Sequence, residues 1–429
     1  MGSTDLAGWL ARLEQLHPTE IEMGLERVAE VARRLCIGQP EALVFTVTGT
    51  NGKGSTCAAL EALLTQHGFK VGCYTSPHLL DYNERVRIAG QQATDAQLCQ
   101  AFEAIDAARA DISLTYFEFG TLAALLLFQR ANVEALVLEV GLGGRLDAVN
   151  IIDPTVAIVT SIGLDHAEFL GNSRDSVGFE KAGIMRPGIK LVCSETDWPV
   201  RFEAEVQRQS AQVWRRCRDY DWAAEGEGWT LQLRDGAGQA RQLCGLPPGD
   251  LPKDNLATAV QAVWAAGVEL DADLVIRALT GLHSPGRMEQ RTISWRGQPR
   301  RLLLDVGHNP HAASYLAAQL RARPGDRQAV FGLLADKDLP GVTAPFSGVF
   351  ESWALAPLPS PRSRPLIELI THLTACGERT EGFDSVAAAL EHSLDNTATT
   401  TEIVIFGSFF CVSAAILWLN QQTRELTNG

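Results

Sequence analysis

A glycine-rich segment near the N-terminus combines residue types that bind phosphate. It reads TGTNGKGST over residues 48–56, between the apolar stretch ALVFTVT (42–48) and the helix-like STCAALEALLTQH (55–67). Glycines let backbone N–H groups surround an anion, and the N-terminus of the following helix adds the positive end of its dipole. Lys53 supplies a point charge for phosphate oxygens. The segment predicts a site for a nucleoside triphosphate.

The spacing within this loop differs from that of a Walker A motif. Gly49 lies three residues before Gly52, where the Walker A pattern has five, and Gly54 separates Lys53 from the hydroxyl of Ser55. The alternative is a glycine-rich turn that carries a lysine by chance. The apolar stretch before the loop and the helix-like stretch after it favour a phosphate loop.

Three further polar residues close or follow apolar stretches that read as strands. Ser76 ends FKVGCYTS, Glu139 follows the apolar run ALVL in VEALVLEVGLGG, and His166 follows TVAIVTSIGLD. Ligands of open parallel sheets collect outside the carboxyl ends of the strands. A hydroxyl, a carboxylate and an imidazole could together hold a divalent cation, with water and phosphate oxygens as its other ligands. Magnesium prefers oxygen, so His166 is the weakest member of this set, and alone it would be a loop or capping histidine.

The elements that must position these residues alternate between strand-like and helix-length segments, which predicts an α/β fold with a mainly parallel sheet. A different composition in 205–250, with short alternating pieces, predicts a small antiparallel sheet. The predicted elements of the N-terminal part are strands at 42–48, 69–76, 133–140 and 155–162 and helices at 55–67 and 121–131.

A turn-rich segment, GLHSPGRMEQR (281–291), predicts a domain boundary. After it the alternation resumes with strands at 300–306, 328–335 and 402–408. We therefore predict a P-loop-type, mainly parallel sheet domain over residues 1–284. A smaller Rossmann-like α/β domain would follow over residues 285–429.

Composition excludes several classes of protein. The 429 residues are 46% hydrophobic and 21% charged, and their formal net charge of −14 argues against nucleic-acid or membrane-surface binding. Nine scattered cysteines without a C-x-x-C pair predict reduced thiols and a cytoplasmic location. MGSTDLAGWL has no basic n-region, and Gly407-Ser408 divides the most apolar stretch, 403–419, into a strand and a helix. We expect a monomer without a signal peptide or membrane span.

Six motifs in order resemble the bacterial dihydrofolate synthase/folylpolyglutamate synthase family of ATP-dependent Mur ligases. The resemblance runs from IEMGLERV (21–28) to VIFGSF (404–409), and the shifted phosphate loop is the family's own form. The motifs are TVTGTNGKGST (46–56), TSPHLLDYNERVRI (75–88), LEVGLGGRLDAVN (138–150), IGLDHAEFLG (162–171), EKAGIMRPG (180–188) and DVGHNPHA (305–312).

The resemblance implies addition of L-glutamate to 7,8-dihydropteroate, giving dihydrofolate, and to tetrahydrofolate and its polyglutamates. ATP would activate the pterin carboxylate as an acyl phosphate, with release of ADP and phosphate. A monofunctional folylpolyglutamate synthase and a superfamily ligase acting on a cell-wall precursor are alternatives within the enzymes. A regulatory P-loop switch is the alternative from another class, although the chain has no N-K-x-D guanine-reading element.

The same resemblance assigns nucleotide and metal positions. Ser76, Glu139 and His166 match the family's magnesium positions, and Lys181 matches a lysine carried as a carbamate, which could help to hold a second magnesium ion. Spacing alone would make Lys181 an ordinary exposed lysine. The ATP contacts implied are Gly52, Lys53, Gly54, Ser55, Asn255, Arg287 and Asp305.

Catalytic and pterin-binding residues are implied in the same way. Lys53 and Lys181 would be catalytic, with His308 or Asp305 as a general base. Asn309-Pro310 could equally begin a helix, Arg287 could form a plain ion pair, and LPPGDLPKDN before Asn255 lacks the superfamily's usual H-Q. The adjacent aromatics of TYFE could instead be the core and surface residues of one strand. The implied pterin contacts are Ile21, Glu22, Met23, Thr115, Tyr116, Phe117, Glu118, Leu146, Asp147 and Ala148.

Overall fold

The structure, a computed structural model, describes residues 5–19, 21–235 and 237–428. The chain divides into two compact units, Met1–Leu282 and His283–Gly429. The described helices include none with the length and apolar content that a membrane span requires.

The first unit contains helices and strands in alternation over most of its length. Its helices are α1 (Leu6–Leu16), α2 (Glu26–Arg34), α3 (Lys53–Gln66), α4 (Asp95–Arg109), α5 (Tyr116–Ala131), α6 (Ala167–Leu170), α7 (Arg174–Ala182), α8 (Val200–Arg208), α9 (Lys253–Ala265) and α10 (Ala272–Leu279). Its strands are β1 (Leu43–Thr48), β2 (Val71–Tyr74), β3 (Val86–Ile88), β4 (Gln91–Gln92), β5 (Ala135–Glu139), β6 (Val156–Val159), β7 (Lys190–Cys193), β8 (Gln212–Arg215), β9 (Asp221–Glu225), β10 (Gly228–Arg234) and β11 (Ala240–Leu246). Two short 3₁₀ helices cover Tyr82–Arg85 and Ala148–Ile151.

Eight strands of this unit form one sheet in the order β4-β3-β2-β5-β1-β6-β7-β8. The neighbouring strands β2-β5-β1-β6-β7-β8 pair in parallel. β3 and β4 extend the sheet beyond β2 as an antiparallel edge. The central strand β1 is covered on both faces: Val44 packs into one apolar core, and Phe45 and Val47 pack into another. A strand buried on both sides reads as a continuous apolar run, which is why ALVFTVT predicts it.

The segment predicted as a small antiparallel sheet forms one, in the order β11-β10-β9. Two local predictions are wrong. Tyr116 and Phe117 do not lie on a strand, because Thr115 caps helix α5 and Glu118 completes a capping box with it. Residues 289–291, predicted to belong to a turn-rich boundary, already form part of a strand in the second unit.

The second unit is a six-stranded sheet with helices between its strands. Its helices are α11 (Pro310–Arg321), α12 (Leu339–Thr343), α13 (Leu366–Ala375), α14 (Val386–Asn396) and α15 (Phe409–Asn428), with a 3₁₀ helix over Ala344–Phe346. Its strands are β12 (Glu289–Trp295), β13 (Gln298–Asp305), β14 (Arg327–Phe331), β15 (Ser352–Leu355), β16 (Thr380–Gly382) and β17 (Glu402–Phe406).

The strand order of this second sheet is β12-β13-β17-β14-β15-β16. Only β12 is antiparallel to its neighbour, and the other five strands pair in parallel. The predicted fold class, a parallel-sheet α/β unit followed by a smaller Rossmann-like one, is confirmed. Because both sheets are mainly parallel, the carboxyl ends of neighbouring strands meet at one edge in each unit, where ligands are expected.

Candidate active site

The glycine-rich loop joins the central strand β1 to helix α3. Gly52 precedes the helix with φ +87°, a left-handed conformation that favours glycine. Lys53 Nζ donates to the carbonyl of Gly49 at 2.8 Å, and Ser55 Oγ donates to the carbonyl of Gly52 at 3.1 Å. The lysine, the first N–H groups of α3 and the serine hydroxyl therefore surround the turn that the sequence predicts to bind phosphate.

Asn255, in helix α9, packs directly on this loop. Its Nδ2 donates to Ser55 Oγ at 2.7 Å, across a separation of 200 residues, and both side chains are buried. A Cβ on Gly52 would lie 2.6 Å from Asn255 Oδ1. The fold thus places a predicted nucleotide contact against the loop, although the residues before Asn255 depart from the superfamily's pattern.

A second segment, after strand β6, holds the loop in place and was not singled out as functional from the sequence. Asn51 N–H donates to Ser161 Oγ at 2.9 Å, and Thr160 Oγ1 donates to the carbonyl of Asn51 at 2.6 Å. Thr50 Oγ1 donates to the carbonyl of Gly163 at 2.9 Å. The sequence feature that could have identified this segment is the pair Thr160-Ser161. It follows an apolar strand, at the edge of the sheet where phosphate loops lie.

Ser76 and Glu139 come together at the ends of two adjacent strands. β2 and β5 run in parallel, and the Ser76 N–H donates to Glu139 Oε2 at 3.1 Å. Glu139 is buried, and its carboxylate and the serine hydroxyl are oxygen donors that suit magnesium. The donor chemistry therefore fits a magnesium ion at this edge.

His166 lies in an exposed segment, where it precedes the short helix α6 with φ +51°. This is the N-cap position of α6, which agrees with the interpretation of His166 as a capping histidine. Within the described part of the chain, no three His, Cys, Asp or Glu side chains form a group that could hold a metal ion.

Lys181 is buried, with 3% of its surface exposed, so the prediction of an ordinary exposed lysine is wrong. Burial, together with the positive charge of Lys53, lowers the pKa of Lys181 to about 7, while the charge of Asp165 acts in the opposite direction. A lysine with that pKa is a neutral amine for about half of the time at neutral pH.

Two predicted pterin-binding segments are joined by an arginine that the sequence did not single out. Arg27, in helix α2, forms an ion pair with Glu22 and donates from Nη2 to Glu118 Oε1 at 3.0 Å. The other oxygen of Glu118 accepts the N–H of Thr115 at 2.8 Å. His17 Nε2 lies 3.1 Å from Glu22 Oε2. Arg27 therefore links the segment of residues 21–23 to the start of α5.

The loop of residues 141–147 contacts both sets of predicted site residues. A Cβ on Gly141 would lie 2.7 Å from the ring of Phe117, and one on Gly143 would lie 3.9 Å from Met23 Cε. On the other side, Thr48 Oγ1 donates to the carbonyl of Gly143 at 2.6 Å. This loop is thus a direct structural link between the end of β1, where the phosphate loop starts, and the predicted pterin segments.

Asp147 holds the end of this loop from a buried position. Its two oxygens accept the N–H groups of Leu142 at 2.8 Å and Val149 at 3.1 Å. Burial raises the pKa of Asp147 to about 6, against the opposing effect of these hydrogen bonds. Ala148, also buried, begins the following 3₁₀ helix, while Leu146 and Ile21 are half-buried.

The predicted residues of the second unit gather where strand β13 ends. Asp305 is buried, and its oxygens accept the N–H groups of Met288 at 3.0 Å and Gly307 at 2.7 Å. Burial raises the pKa of Asp305, and the nearby charge of Arg287 opposes that rise. The Arg287 guanidinium also lies over the ring of Phe409, 5.3 Å from its centre.

His308 and Asn309 follow directly in the chain. His308 Nδ1 lies 2.8 Å from the carbonyl oxygen of Val306, and its ring centre is 6.3 Å from that of Phe409. Asn309 caps helix α11, since its Oδ1 accepts the N–H of Ala312 at 3.0 Å, and Pro310 follows as the first helical residue. The helix-starting interpretation of Asn309-Pro310 is therefore confirmed.

A phosphate-loop sheet unit followed by a second parallel α/β unit is the architecture of a Mur ligase. The family model "Mur ligase middle domain" matches residues 47–218, and "Mur ligase, glutamate ligase domain" matches residues 286–409. Dihydrofolate synthase/folylpolyglutamate synthase of Escherichia coli K12 is 41% identical over 413 residues, which cover 96% of this chain and 94% of that protein. The chain belongs to the dihydrofolate synthase/folylpolyglutamate synthase family, as its motifs predict.

Solved structures agree with this assignment along the whole chain. E. coli FolC in complex with DHPP and ADP is 40% identical, covers 98% of this chain and 99% of its own, and superposes with a TM-score of 0.92. A bifunctional folylpolyglutamate synthase/dihydrofolate synthase with Mn, AMPPNP and L-glutamate bound is 42% identical, with coverage of 97% and 98% and a TM-score of 0.89.

Proposed function

We propose that this chain is an ATP-dependent ligase that joins L-glutamate to folates through an amide bond. Its acceptors would be 7,8-dihydropteroate, which yields dihydrofolate, and tetrahydrofolate with its polyglutamates. The similar structures bind ADP, AMPPNP, DHPP, L-glutamate and Mn, which supports a nucleotide, a divalent cation and these classes of substrate.

One observation of the structure carries this proposal. The loop of residues 141–147 accepts a hydrogen bond from Thr48, at the end of β1, and passes close to Phe117 and Met23 of the predicted pterin segments. A ligase that activates a carboxylate with ATP must hold the acid beside the terminal phosphate. A regulatory nucleotide switch has no need for an acid-binding site at this place.

The first chemical step forms an acyl phosphate. A carboxylate oxygen of the pterin attacks the γ-phosphorus of ATP, a new P–O bond forms, and the bond to ADP breaks. Lys53 and the N–H groups at the start of α3 neutralise charge on the transferring group, and Asn255 holds Ser55 in position beside them. Gly52 and Gly54 leave the backbone open to the phosphates. Arg287 and Asp305 are proposed as further nucleotide contacts.

The second step forms the amide. The amine of L-glutamate attacks the acyl carbon, loses a proton, and expels inorganic phosphate. His308 or Asp305 is proposed to accept that proton. The raised pKa of Asp305 makes its carboxylate a stronger base than an exposed one.

Two magnesium ions are proposed to complete the site, held by Ser76, Glu139 and His166 and, for the second ion, by Lys181. When bound, they would neutralise charge on the phosphoryl oxygens. Lys181 would act as a carbamate: its neutral amine attacks carbon dioxide, an N–C bond forms, and a proton leaves. The low pKa of this buried lysine supports the neutral form that the reaction needs.

The pterin is proposed to lie among three segments that the fold brings near one another. Tyr116 and Phe117, in the first turn of α5, offer aromatic surface to a flat ring. The proposed contacts are Ile21, Glu22, Met23, Thr115, Tyr116, Phe117, Glu118, Leu146, Asp147 and Ala148.

We further propose that the enzyme is a cytoplasmic monomer that binds neither nucleic acid nor membranes. All nine cysteines are free thiols, which suit a reducing compartment. The net charge of −14 disfavours polyanionic partners.

Phosphate release tests the proposal. The assay contains MgATP and L-glutamate, with either 7,8-dihydropteroate or tetrahydrofolate. We expect release with both acceptors, its loss in Lys53→Ala, and its retention in the control Lys190→Ala. Release with tetrahydrofolate alone would indicate a monofunctional folylpolyglutamate synthase. Release that is independent of glutamate and of both pterins would overturn the ligase proposal in favour of the switch.

A further inference from the structure

We propose that the second unit contains a separate site for a small phosphate-type dianion, in a pocket lined by arginines. The pocket has a volume of about 230 Å³ and lies between β12, β13, β17 and the turn that follows α11. Four arginines and two acids line it, which gives the lining a formal charge of +2 in a chain whose net charge is −14. These residues are Arg291, Arg301, Arg323, Arg327, Asp326 and Glu402.

One ion pair forms the structural part of this pocket. Glu402 on β17 is in register with Arg301 on β13 and with Arg327 on β14, so the three side chains lie in one row across the sheet. Arg327 is 7% exposed and donates from Nε to Glu402 at 3.0 Å. Its other nitrogens donate to the carbonyls of Gly325 at 3.2 Å and Arg323 at 2.7 Å. Arg327 therefore neutralises Glu402 and is less accessible to a ligand than Arg291 and Arg323, whose side chains are 30% and 34% exposed.

Three guanidinium groups remain around the cavity, each from a different element. Arg291 pairs with Glu289 at 2.6 Å, and Arg301 Nη2 donates to the carbonyl of Thr400. Arg323 Nη1 lies 3.9 Å from Glu402, and its Nη2 is buried without a hydrogen-bond partner among the described residues. Because a guanidinium has five N–H donors, these contacts leave donors unused on all three.

The arrangement favours a tetrahedral dianion over a planar carboxylate. A carboxylate satisfies one guanidinium fork, whereas phosphate oxygens accept hydrogen bonds from several directions. A volume of about 230 Å³ provides room for one phosphate group and is smaller than a typical ligand pocket. The ligand class is therefore inorganic phosphate or a small phosphate ester.

This pocket is distinct from the candidate active-site residues of the same unit. Arg327 and Glu402 are the first residues of β14 and β17, and Arg301, in register with Glu402, is the fourth residue of β13. Asp305 closes the carboxyl end of β13, four residues and about 13 Å farther along the strand. The proposed site does not depend on the ligase function.

Calorimetric titration of the full chain with sodium phosphate, at constant ionic strength and without nucleotide, tests the proposal. We expect saturable binding that Lys53→Ala retains, because the phosphate loop is not the site. The double variant Arg301→Gln/Arg323→Gln removes two charged donors and should raise the Kd at least about tenfold. Arg379→Gln, an exposed arginine of the same unit, is the matched control and should bind as the unmodified chain does.

Unchanged AMPPNP binding by the double variant will show that it is folded. If it is not folded, the single variant Arg291→Gln serves the same comparison. Titrations with methyl phosphate and acetate test the ligand class. Inorganic phosphate and methyl phosphate, a small ester, should bind, and acetate, a carboxylate, should not. Absence of saturable phosphate binding, or binding that is lost in Lys53→Ala and kept in the pocket variants, would overturn the proposal.

Discussion

Substitution of Gly52 by alanine tests whether Asn255 packs on the phosphate loop. Gly52 has φ +87°, and the added Cβ would lie 2.6 Å from Asn255 Oδ1. The left-handed conformation costs an L-residue about 1–2 kcal/mol. The close approach forces the Asn255 side chain away, which breaks its bond to Ser55 and costs about 0.5–1.5 kcal/mol more. We therefore expect Gly52→Ala to lower the free energy of unfolding of the first unit by about 1.5–3.5 kcal/mol.

The chain offers a matched control at the other end of the same helix. Gly68 follows α3 with φ +89°, and a Cβ there would meet nothing within 4 Å. Gly68→Ala should show the conformational cost alone, about 1–2 kcal/mol. Because Gly68 is remote from the loop, its variant should bind AMPPNP normally. Gly52→Ala should raise the Kd for AMPPNP about fivefold or more, because a loss of about 1 kcal/mol of binding free energy corresponds to that factor.

A double-mutant cycle isolates the contact itself. Asn255→Ala alone removes the hydrogen bond to Ser55, and the Gly52→Ala/Asn255→Ala variant cannot lose that bond twice. The double variant should therefore be less destabilised than the sum of the single ones by about 1 kcal/mol. Unfolding is measured by urea titration with hydrogen exchange of the amides in β1 and α3. Additivity within about 0.5 kcal/mol would refute the placement of Asn255 on the loop.

Three further predictions concern Lys181 and Arg27. With a pKa of about 7, the neutral fraction of Lys181 is about a tenth at pH 6 and about nine-tenths at pH 8. At equal concentrations of dissolved CO₂, activity should therefore return to CO₂-depleted enzyme about ninefold faster at pH 8, and equal rates at both pH values would count against the carbamate. Since this pKa lies below that of an unfolded lysine, Lys181→Met should remove a rise in stability between about pH 7 and pH 10, measured by urea unfolding. Arg27→Met leaves Glu118 buried without its cation, which should destabilise the first unit by about 2–4 kcal/mol and raise the KM for 7,8-dihydropteroate more than it changes kcat. Arg33 is an exposed arginine of the same helix, and Arg33→Met should change neither the stability nor the KM. An equal loss of stability in both variants would contradict the bridging role of Arg27.

The phosphate loop and the parallel sheet could be predicted from the sequence because their signals are local. An apolar run, a glycine-rich turn and a helix-like segment follow one another within about 26 residues, from 42 to 67. Ser76 and Glu139 could be placed together because each ends a strand and parallel strands share one edge. The start of α5 was also predictable: Thr115 and Glu118 form a capping box, a signal that the adjacent aromatics obscured.

Other features depend on contacts between residues far apart in the chain. Asn255 reaches Ser55 across 200 residues, and Arg27 reaches Glu118 across 91. No periodicity or spacing encodes such pairs, because they form only when separate helices pack. Lys181 is the clearest case, since its sequence neighbours do not reveal its burial, and burial is the main cause of its lowered pKa.

Thus the residue order by itself determined the class of chemistry, the fold class and the residue types at the strand ends, since these follow from local patterns and from the geometry of parallel sheets. Only the tertiary structure decided which distant side chains meet, which ionisable groups are buried, and that arginines of four elements surround one pocket in an acidic chain. The physical reason is that hydrogen bonds and ion pairs depend on distances of a few ångströms, which packing sets and sequence separation does not.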